Sequence, residues 1–447
     1  MTAPTRERLH ASRRVDPLAQ AAVNADDWLD TLRSADGYTG PAVHWWQHCL
    51  TYTGAGIDWR YEGIVDGYLT LHRKTGNPRW LLKARRAAND IVAAQYPSGN
   101  YADSQFQLNP YTAGTPHEAS VNVALLKTAA ALRAAHQPDW QGYVDAARRS
   151  LTGYFIPRLW DADARTFYDD VRRITVVPNK LATLAEALVR LSDLTGDTRY
   201  LEIYALPALD AVLAQQTGLG TAAGAIGQMT ERGHAVTAYF PYYNARCVTG
   251  LIAAYRASGS ARYLDAADRA MDFITSARLP GGGLPQIVYS DGRRSVYPVW
   301  IAGAAESVMA GLALADCGRT HDLAPIVAWV LDGQLESGGF RTAHGFAAAG
   351  CRRAAVTPPH FFDLLPVAGW AHKAFAMCAA LLPDGERLPE AVTAPVERAC
   401  TFRGRPARFT ETAARIELHD DHSGRCLYRW IKGAPWAEVV TPGLIWK

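Results

Sequence analysis

At 447 residues, nearly half of them hydrophobic and a fifth charged, the chain has room for one large domain or two or three ordinary ones. A net charge of +3 with no long basic run argues against a nucleic-acid partner, while leaving room for a local positive patch facing an anionic substrate. No run of about 18 apolar residues is present to span a bilayer. The N-terminal MTAPTRERLHASRR lacks a signal's apolar stretch, and the seven scattered cysteines form no Cys-x-x-Cys pair, so the expectation is a cytoplasmic protein.

In chain order, residues 1–17 form an arm and residues 18–32 carry the apolar periodicity of an outer, half-solvated helix. Beyond them a turn followed by Arg or Asp and an aromatic recurs: TGNPRWL (75–81), HQPDW (136–140), TGDTRYL (195–201) and SGSARYL (258–264). Trp80, Trp140, Tyr200 and Tyr263 therefore follow one another at intervals of about sixty residues, a repeat of helix pairs. Prolines 116, 178, 241, 298 and 359 keep the same period, and each is expected to open a helix, where its missing N–H leaves no bond unmade.

The helices starting near 58, 116, 178, 241, 298 and 359 are rich in Ala, Leu and Val on most faces, which predicts burial as an inner ring. Between them lie amphipathic outer helices such as ARYLDAADRAMDFI, which end in glycine-rich turns: QYPSGNY (95–101), QTGLGT (216–221), RLPGGGL (278–284) and QLESGGF (334–340). The sixth inner helix, ending near Leu382, has no outer helix after it, and residues 18–32 supply one. The prediction is an all-α fold, an (α/α)6 toroid of six helical hairpins over 18–383. Residues 384–447 alternate, with β-branched and aromatic residues between turns, and predict a small C-terminal antiparallel β appendage.

RAANDIVAAQYPSGNY, RAMDFITSARLPGGGL and WVLDGQLESGGF resemble degenerate copies of the Gln/Trp repeat of squalene–hopene cyclases and related toroids, and protein prenyltransferase β subunits have similar turns. The resemblance covers roughly residues 18–382 and concerns helix ends rather than chemistry. The acid motif of the terpenoid cyclases does not carry over, since WDADAR offers only Asp161 and Asp163. Nor does the prenyltransferase zinc set, whose place is taken by RRSVYPVW. The same ring is shared by six-hairpin glycosidases, polysaccharide lyases and N-acylglucosamine 2-epimerases, so fold alone does not choose among them.

In such a ring the loops entering the inner helices gather at one end of a central funnel, where helix N-termini favour anionic groups. Catalytic candidates there are His117, Glu118, Asp58, Glu231, His234, His360 and Asp363. Asp58, at a helix start, also suits an N-cap, and His360 with Asp363 also suits an ordinary helix start. Candidates for binding substrate are Trp45, Trp46, Trp59, Tyr242, Tyr243, Asn244 and Trp300, with Arg173 and Arg294 to meet an acidic group. His44-x-x-x-His48 lacks a third ligand, HDDH (419–422) reads as a charged turn, and no phosphate or dinucleotide loop is present, so no metal and no cofactor is expected.

Aromatic residues mixed with carboxylates, His, Asn and Arg suit a sugar better than a terpene. The expected function is a carbohydrate-active enzyme, a glycosidase, lyase or epimerase, acting by general acid/base catalysis in the funnel on a small-molecule or oligosaccharide substrate, acidic sugars included. The alternatives are a terpenoid-cyclase-like enzyme acting on an isoprenoid, with an aromatic pocket and one buried acid, and a non-catalytic glycan- or peptide-binding ring. The sequence leaves the oligomeric state open.

Overall fold

The computed structural model describes residues 16–44, 49–52, 55–101, 117–218, 220–231, 234–348 and 359–444. Trp45 and Trp46 lie outside the described residues, as do the side chains of His117, Glu118 and Glu231.

Among the described residues, six helices enclose a central axis: α2 (Trp59–Thr75), α4 (His117–Ala134), α7 (Pro178–Thr195), α9 (Pro241–Ser258), α11 (Ala305–Ala315) and α14 (Ala368–Leu381). Each packs on the next, and α14 returns to α2, so the ring is closed. Their partners outside are α3 (Pro78–Ala93), α5 (Trp140–Ser150), α8 (Leu206–Leu213), α10 (Ala261–Ser276), α12 (Ala324–Leu331) and, against α14, α1 (Pro17–Thr31). After α5 a π turn, Leu151–Phe155, leads into the short α6 (Ile156–Leu159), and a second π turn, Tyr200–Ala205, precedes α8. The inner helices are buried on nearly every face, α14 from Ala368 to Ala379 without interruption, whereas α10 buries one stripe from Tyr263 to Ile274. The stretch Phe361–Leu381 is long and apolar enough to cross a membrane, but 89% of its window is buried, so the ring itself covers it.

The repeated turns have one mechanical job. Gln95 Nε2 donates to Gly99 O across its own turn and to Ala146 O on the neighbouring outer helix α5, at 3.1 and 2.8 Å. Gln216 does the same to Gly224 O and Ala266 O on α10, both at 2.8 Å. Gln334 bonds Gly338 O and Ala21 O on α1, at 3.0 and 2.9 Å. That last clamp ties the final outer turn to the first helix and locks the ring. Gly99, Gly224 and Gly338 sit at φ 94, 87 and 89°, with the backbone of the clamped helix against them, so a side chain would have neither an allowed conformation nor space. In the fourth turn Arg278 stands in the glutamine's place and reaches Asp322, just ahead of α12.

Two helix starts differ from the proline rule. Pro178 and Pro241 do open α7 and α9. Pro298 leads instead into a strand, Val299–Trp300, paired with Ala343–His344, and the inner helix begins beyond it with a turn at Ala302–Ala304. Pro359 precedes a single helical turn, α13 (Phe361–Leu364), after which α14 starts afresh at Ala368. Pro366 lies in the gap and has no N–H with which to continue α13.

The C-terminal part is a five-stranded antiparallel meander: Val396–Phe402, Arg405–Glu411, Arg415–Asp420, Cys426–Ile431 and Val439–Val440. Its buried face, including Phe402, Phe409 and Tyr428, packs on Phe361 with ring centroids 5.6–6.4 Å apart. Backbone bonds from Thr401 N to Pro359 O and from Leu50 N to Leu444 O fix it where the ring's first and last hairpins meet.

Candidate functional site

The first turns of three inner helices converge on the axis. Trp370 of α14 lies 5.5 Å from Trp59 of α2, 5.4 Å from Tyr242 of α9, and stacks at 4.7 Å on Trp300. Because first-turn residues meet one another, α2, α9 and α14 run parallel with their N-termini at one end. Tyr243 continues the cluster, 5.5 Å from Tyr242. Gly303 lets Trp370 lie against the backbone, since a Cβ there would sit 3.2 Å from the indole. Beside the rings is Gln286, only 5% exposed, whose Nε2 has no hydrogen-bond partner among the described residues. The space left between Phe240, Tyr242, Trp300, Trp370 and Gln286 is about 10 Å³.

One helical turn further in, the axis becomes charged. Arg246 Nη1 donates to Glu62 Oε1 at 2.7 Å and lies 3.5 Å from Glu306 Oε1. Its Nη2 is 3.6 Å from Glu186 Oε2, and its Nε donates to Thr183 Oγ1 at 2.7 Å. Lys373 Nζ is 2.5 Å from Glu306 Oε2 and 3.8 Å from Glu62 Oε2. Burial pushes the Glu186 carboxyl up, but the charges of Arg190, Arg246 and Lys127 outweigh it and hold it at about 2. Burial likewise opposes, and Lys373 and Arg246 prevail, at Glu306, which is also lowered. These glutamates are ionised bases or acceptors, not acids.

Beneath this layer the axis widens into a cavity of about 420 Å³, which reaches past Asp66, Lys127 and Arg190 to Asp193, Arg256 and Ala257 near the C-terminal ends of α7 and α9. The last three residues are exposed, so the cavity opens at the end of the ring opposite the aromatic cluster.

The expected site residues distribute unevenly over this frame. Trp59, Tyr242, Tyr243 and Trp300 come together at the axis. Asp58 caps α2 through Arg60 N and forms a two-point ion pair with the Arg60 guanidinium, at 2.8 and 3.0 Å, wholly buried. Asn244 pins the backbone of Ile226 and Phe240 to α9. Arg173 lies in a hairpin, paired with Asp161 at 3.0 Å, and Arg294 bonds Ala277 O at 3.3 Å. His234 is exposed on a two-residue strand paired with Thr230–Glu231. His360 and Asp363 form a reciprocal cap on α13: Phe362 N donates to His360 Nδ1, and His360 N to Asp363 Oδ2.

Asp363 Oδ1 also accepts from Phe346 N at 3.0 Å, and the Phe346 ring stands edge-on to Trp300 at 6.1 Å. Burial pushes the Asp363 carboxyl up to about 6, against the pull of the Phe346, His360 and Gly345 N–H groups and of Arg341. Burial, then Arg341, keeps His344 below its usual value and neutral.

Trp370, Glu186, Arg246, Glu306 and Lys373 were not among the expected site residues. Their signal was a lone charge or indole inside an otherwise apolar inner helix, as in LATLAEALVR, AAESVMAG and AGWAHKAF, since such a helix has no solvated face on which to place a charge. A possible metal grouping, Glu417, His419 and Cys426 with ligand atoms within 4.8 Å, lies in the β-sheet, where Arg429 and Arg415 already hold Glu417 at 2.5 and 3.1 Å.

A closed ring of six helical hairpins with its polar groups gathered on the axis defines the (α/α)6 toroid class. Solved structures with the same ring include the unsaturated glucuronyl hydrolase of Bacillus sp. GL1, with a TM-score of 0.57 and 16% identity over 81% of this chain and 95% of that one. An α-1,6-mannanase of Salegentibacter, solved with α-1,6-mannotriose, matches with a TM-score of 0.56 and 13% identity over 82% and 99%. The cellobiose 2-epimerase of Bacillus thermoamylovorans matches with a TM-score of 0.59 and 10% identity over 81% and 98%. No family model and no curated protein sequence matches the chain.

Proposed function

We propose that the chain is a carbohydrate-active enzyme that cleaves or epimerises a sugar unit held against the aromatic cluster at the N-terminal end of the ring. The observation that carries this reading is the make-up of that cluster. Trp59, Tyr242 and Tyr243 leave part of their surface exposed, with Gln286 beside the two tyrosines, and aromatic faces with polar tips stack on sugar rings while bonding their hydroxyls. Burial raises Tyr242 far above its usual value and Tyr243 to about 12, so both phenols stay protonated and act as donors. Toroids of the same shape that act on glucuronyl, mannosyl and cellobiosyl substrates support the substrate class.

The isoprenoid alternative needs a dry, apolar pocket. The axial cavity is instead lined by five carboxylates and five cations.

For the chemistry, Asp363 at about 6 is matched to donating a proton near neutral pH. Its counterpart comes from the other groups at the same end, His117, Glu118, Glu231, His234 and His360. The test is to incubate the protein with glucuronyl-terminated, mannosyl and cellobiosyl oligosaccharides and with prenyl diphosphates, following reducing ends and C2 epimers by NMR. Turnover of one sugar is expected, with a basic limb near pH 6 and a loss of about 10²-fold or more in Asp363→Asn. Turnover of a prenyl substrate alone would sink the reading.

A further inference from the structure

The charged layer and the cavity beneath it are not needed by a site at the aromatic end, and the packed rings stand between the two. From them we infer that the C-terminal end of the inner barrel is a second ligand site, for a neutral, hydroxyl-rich molecule of about monosaccharide to disaccharide size.

Among the described residues three buried polar atoms of the cavity-floor side chains make no hydrogen bond and are held only by long ion pairs: Glu62 Oε2, 3.8 Å from Lys373 Nζ, and Glu186 Oε2 with Arg246 Nη2. Their side chains are 5, 4 and 10% exposed. Glu186 Oε2 lies 3.6 Å from Arg246 Nη2, beyond a hydrogen bond. Buried polar groups are almost always satisfied, so a hydroxyl that inserts between these loosely paired groups would supply hydrogen bonds they lack.

The charges around them select it. Glu62 and Glu306 share Arg246 and Lys373, Glu186 also holds Arg190 at 2.8 Å, and Asp66 holds Lys127 at 3.0 Å. An anion entering here would meet three glutamates at the floor, and a cation would meet Arg246 and Lys373; either would unbalance a buried, neutral set. Two open acceptors beside one open donor match neighbouring hydroxyls, each of which donates and accepts. The wall supplies aliphatic surface from Val189, Ile252, Met309 and Ala376 for the carbon skeleton, and about 420 Å³ lies within the range of small-molecule sites.

Calorimetric titration of the full chain with glucose, mannose, N-acetylglucosamine and myo-inositol tests this, with glucuronate and glucosamine as charged comparators. At least one neutral probe should bind at least tenfold more tightly than both comparators. Ala253→Phe and Ala313→Phe, which fill the cavity from α9 and α11 without touching the ion layer, should each weaken it at least tenfold. Thermal melts confirm that the variants fold. Because no tryptophan lines the cavity, the indole fluorescence response to oligosaccharides at the aromatic end should persist in both, which separates this site from the proposed catalytic one. Failure of every neutral probe to bind, leaving water as the sole occupant, overturns the inference. So does binding that survives both substitutions, or charged comparators that bind as tightly.

Discussion

Glu411, in the C-terminal sheet, accepts a hydrogen bond from the indole Nε1 of Trp28, 2.8 Å away and 383 residues earlier in the chain. The same carboxylate accepts from Ser337 Oγ at 2.7 Å and pairs with Lys432 Nζ at 2.8 Å, all of it buried. One side chain thus joins α1, the turn after α12 and the sheet. Removing one partner of a buried, hydrogen-bonded ion pair strands the other. Glu411→Ala is therefore expected to destabilise the protein by about 3–5 kcal/mol, and Trp28→Phe by about 1–3 kcal/mol, in urea unfolding. A Glu411→Ala change below about 1 kcal/mol would show that the sheet does not hold the seam.

The glutamine clamps make a comparative prediction. Gln334→Ala removes two bonds that join the last outer turn to the first helix, and about 1–3 kcal/mol should be lost. Gly224→Ala should lose more, because its φ of 87° and the Arg269 carbonyl both exclude a methyl group. Equal melting temperatures for wild type and Gly224→Ala would contradict the turn geometry.

Arg246 neutralises three glutamates at once, so Arg246→Met leaves uncompensated charge and should cost about 3–5 kcal/mol near neutral pH. The pH dependence gives the mechanism. In the wild type the lowered carboxyls contribute stability above the unfolded glutamate pKa of about 4.3, lost as pH falls towards about 2. Without Arg246 the remaining carboxyls rise, and a raised carboxyl loses stability as pH increases through its folded value. The gap between variant and wild type should therefore widen from pH 5 to pH 8. A constant gap would mean that the arginine acts only by filling space.

His372 loses its contribution in the same direction as the lowered carboxyls, but in a higher pH window. It is fully buried, and its Nδ1 faces Ala368 O at 3.0 Å, while burial, then Lys373, holds it well below its usual value. Keeping it neutral contributes stability above the unfolded pKa of about 6.5, lost as pH falls below it by up to about 1.4 kcal/mol per unit. Denaturant midpoints at pH 7.5 and 5.5 should show this slope in the wild type and a flatter one in His372→Gln. Identical slopes would remove His372 from the account.

Much of the ring was legible because its cause is local. Trp80, Trp140, Tyr200 and Tyr263 recur because each outer helix must start after the same kind of turn, and Pro178 and Pro241 sit where a helix tolerates a missing donor. The start at 298 was misplaced because a distant pairing, Trp300 with Ala343, overrides it, and the start at 359 because α13 stops after one turn before Pro366 and α14 begins afresh at Ala368. At the axis, four aromatic residues were found by their place at helix starts, while Trp370 was missed because α14 starts at Ala368 and not at Pro359. The charged layer was readable as a set of misplaced charges, but not as pairs. Arg246 meets Glu62 across 184 residues, and only the register of opposed helices decides that.

The seam also sets a problem of timing. Trp28, Leu29 and the alanines of α1 are covered by α14 and by the β-meander, which leave the ribosome hundreds of residues later. At synthesis rates of roughly 5–20 residues per second, that apolar stripe stays bare for a good part of a minute. The nascent chain should therefore present α1 as a sticky amphipathic segment, and a variant with a polar stripe there should aggregate less during translation yet fail to close.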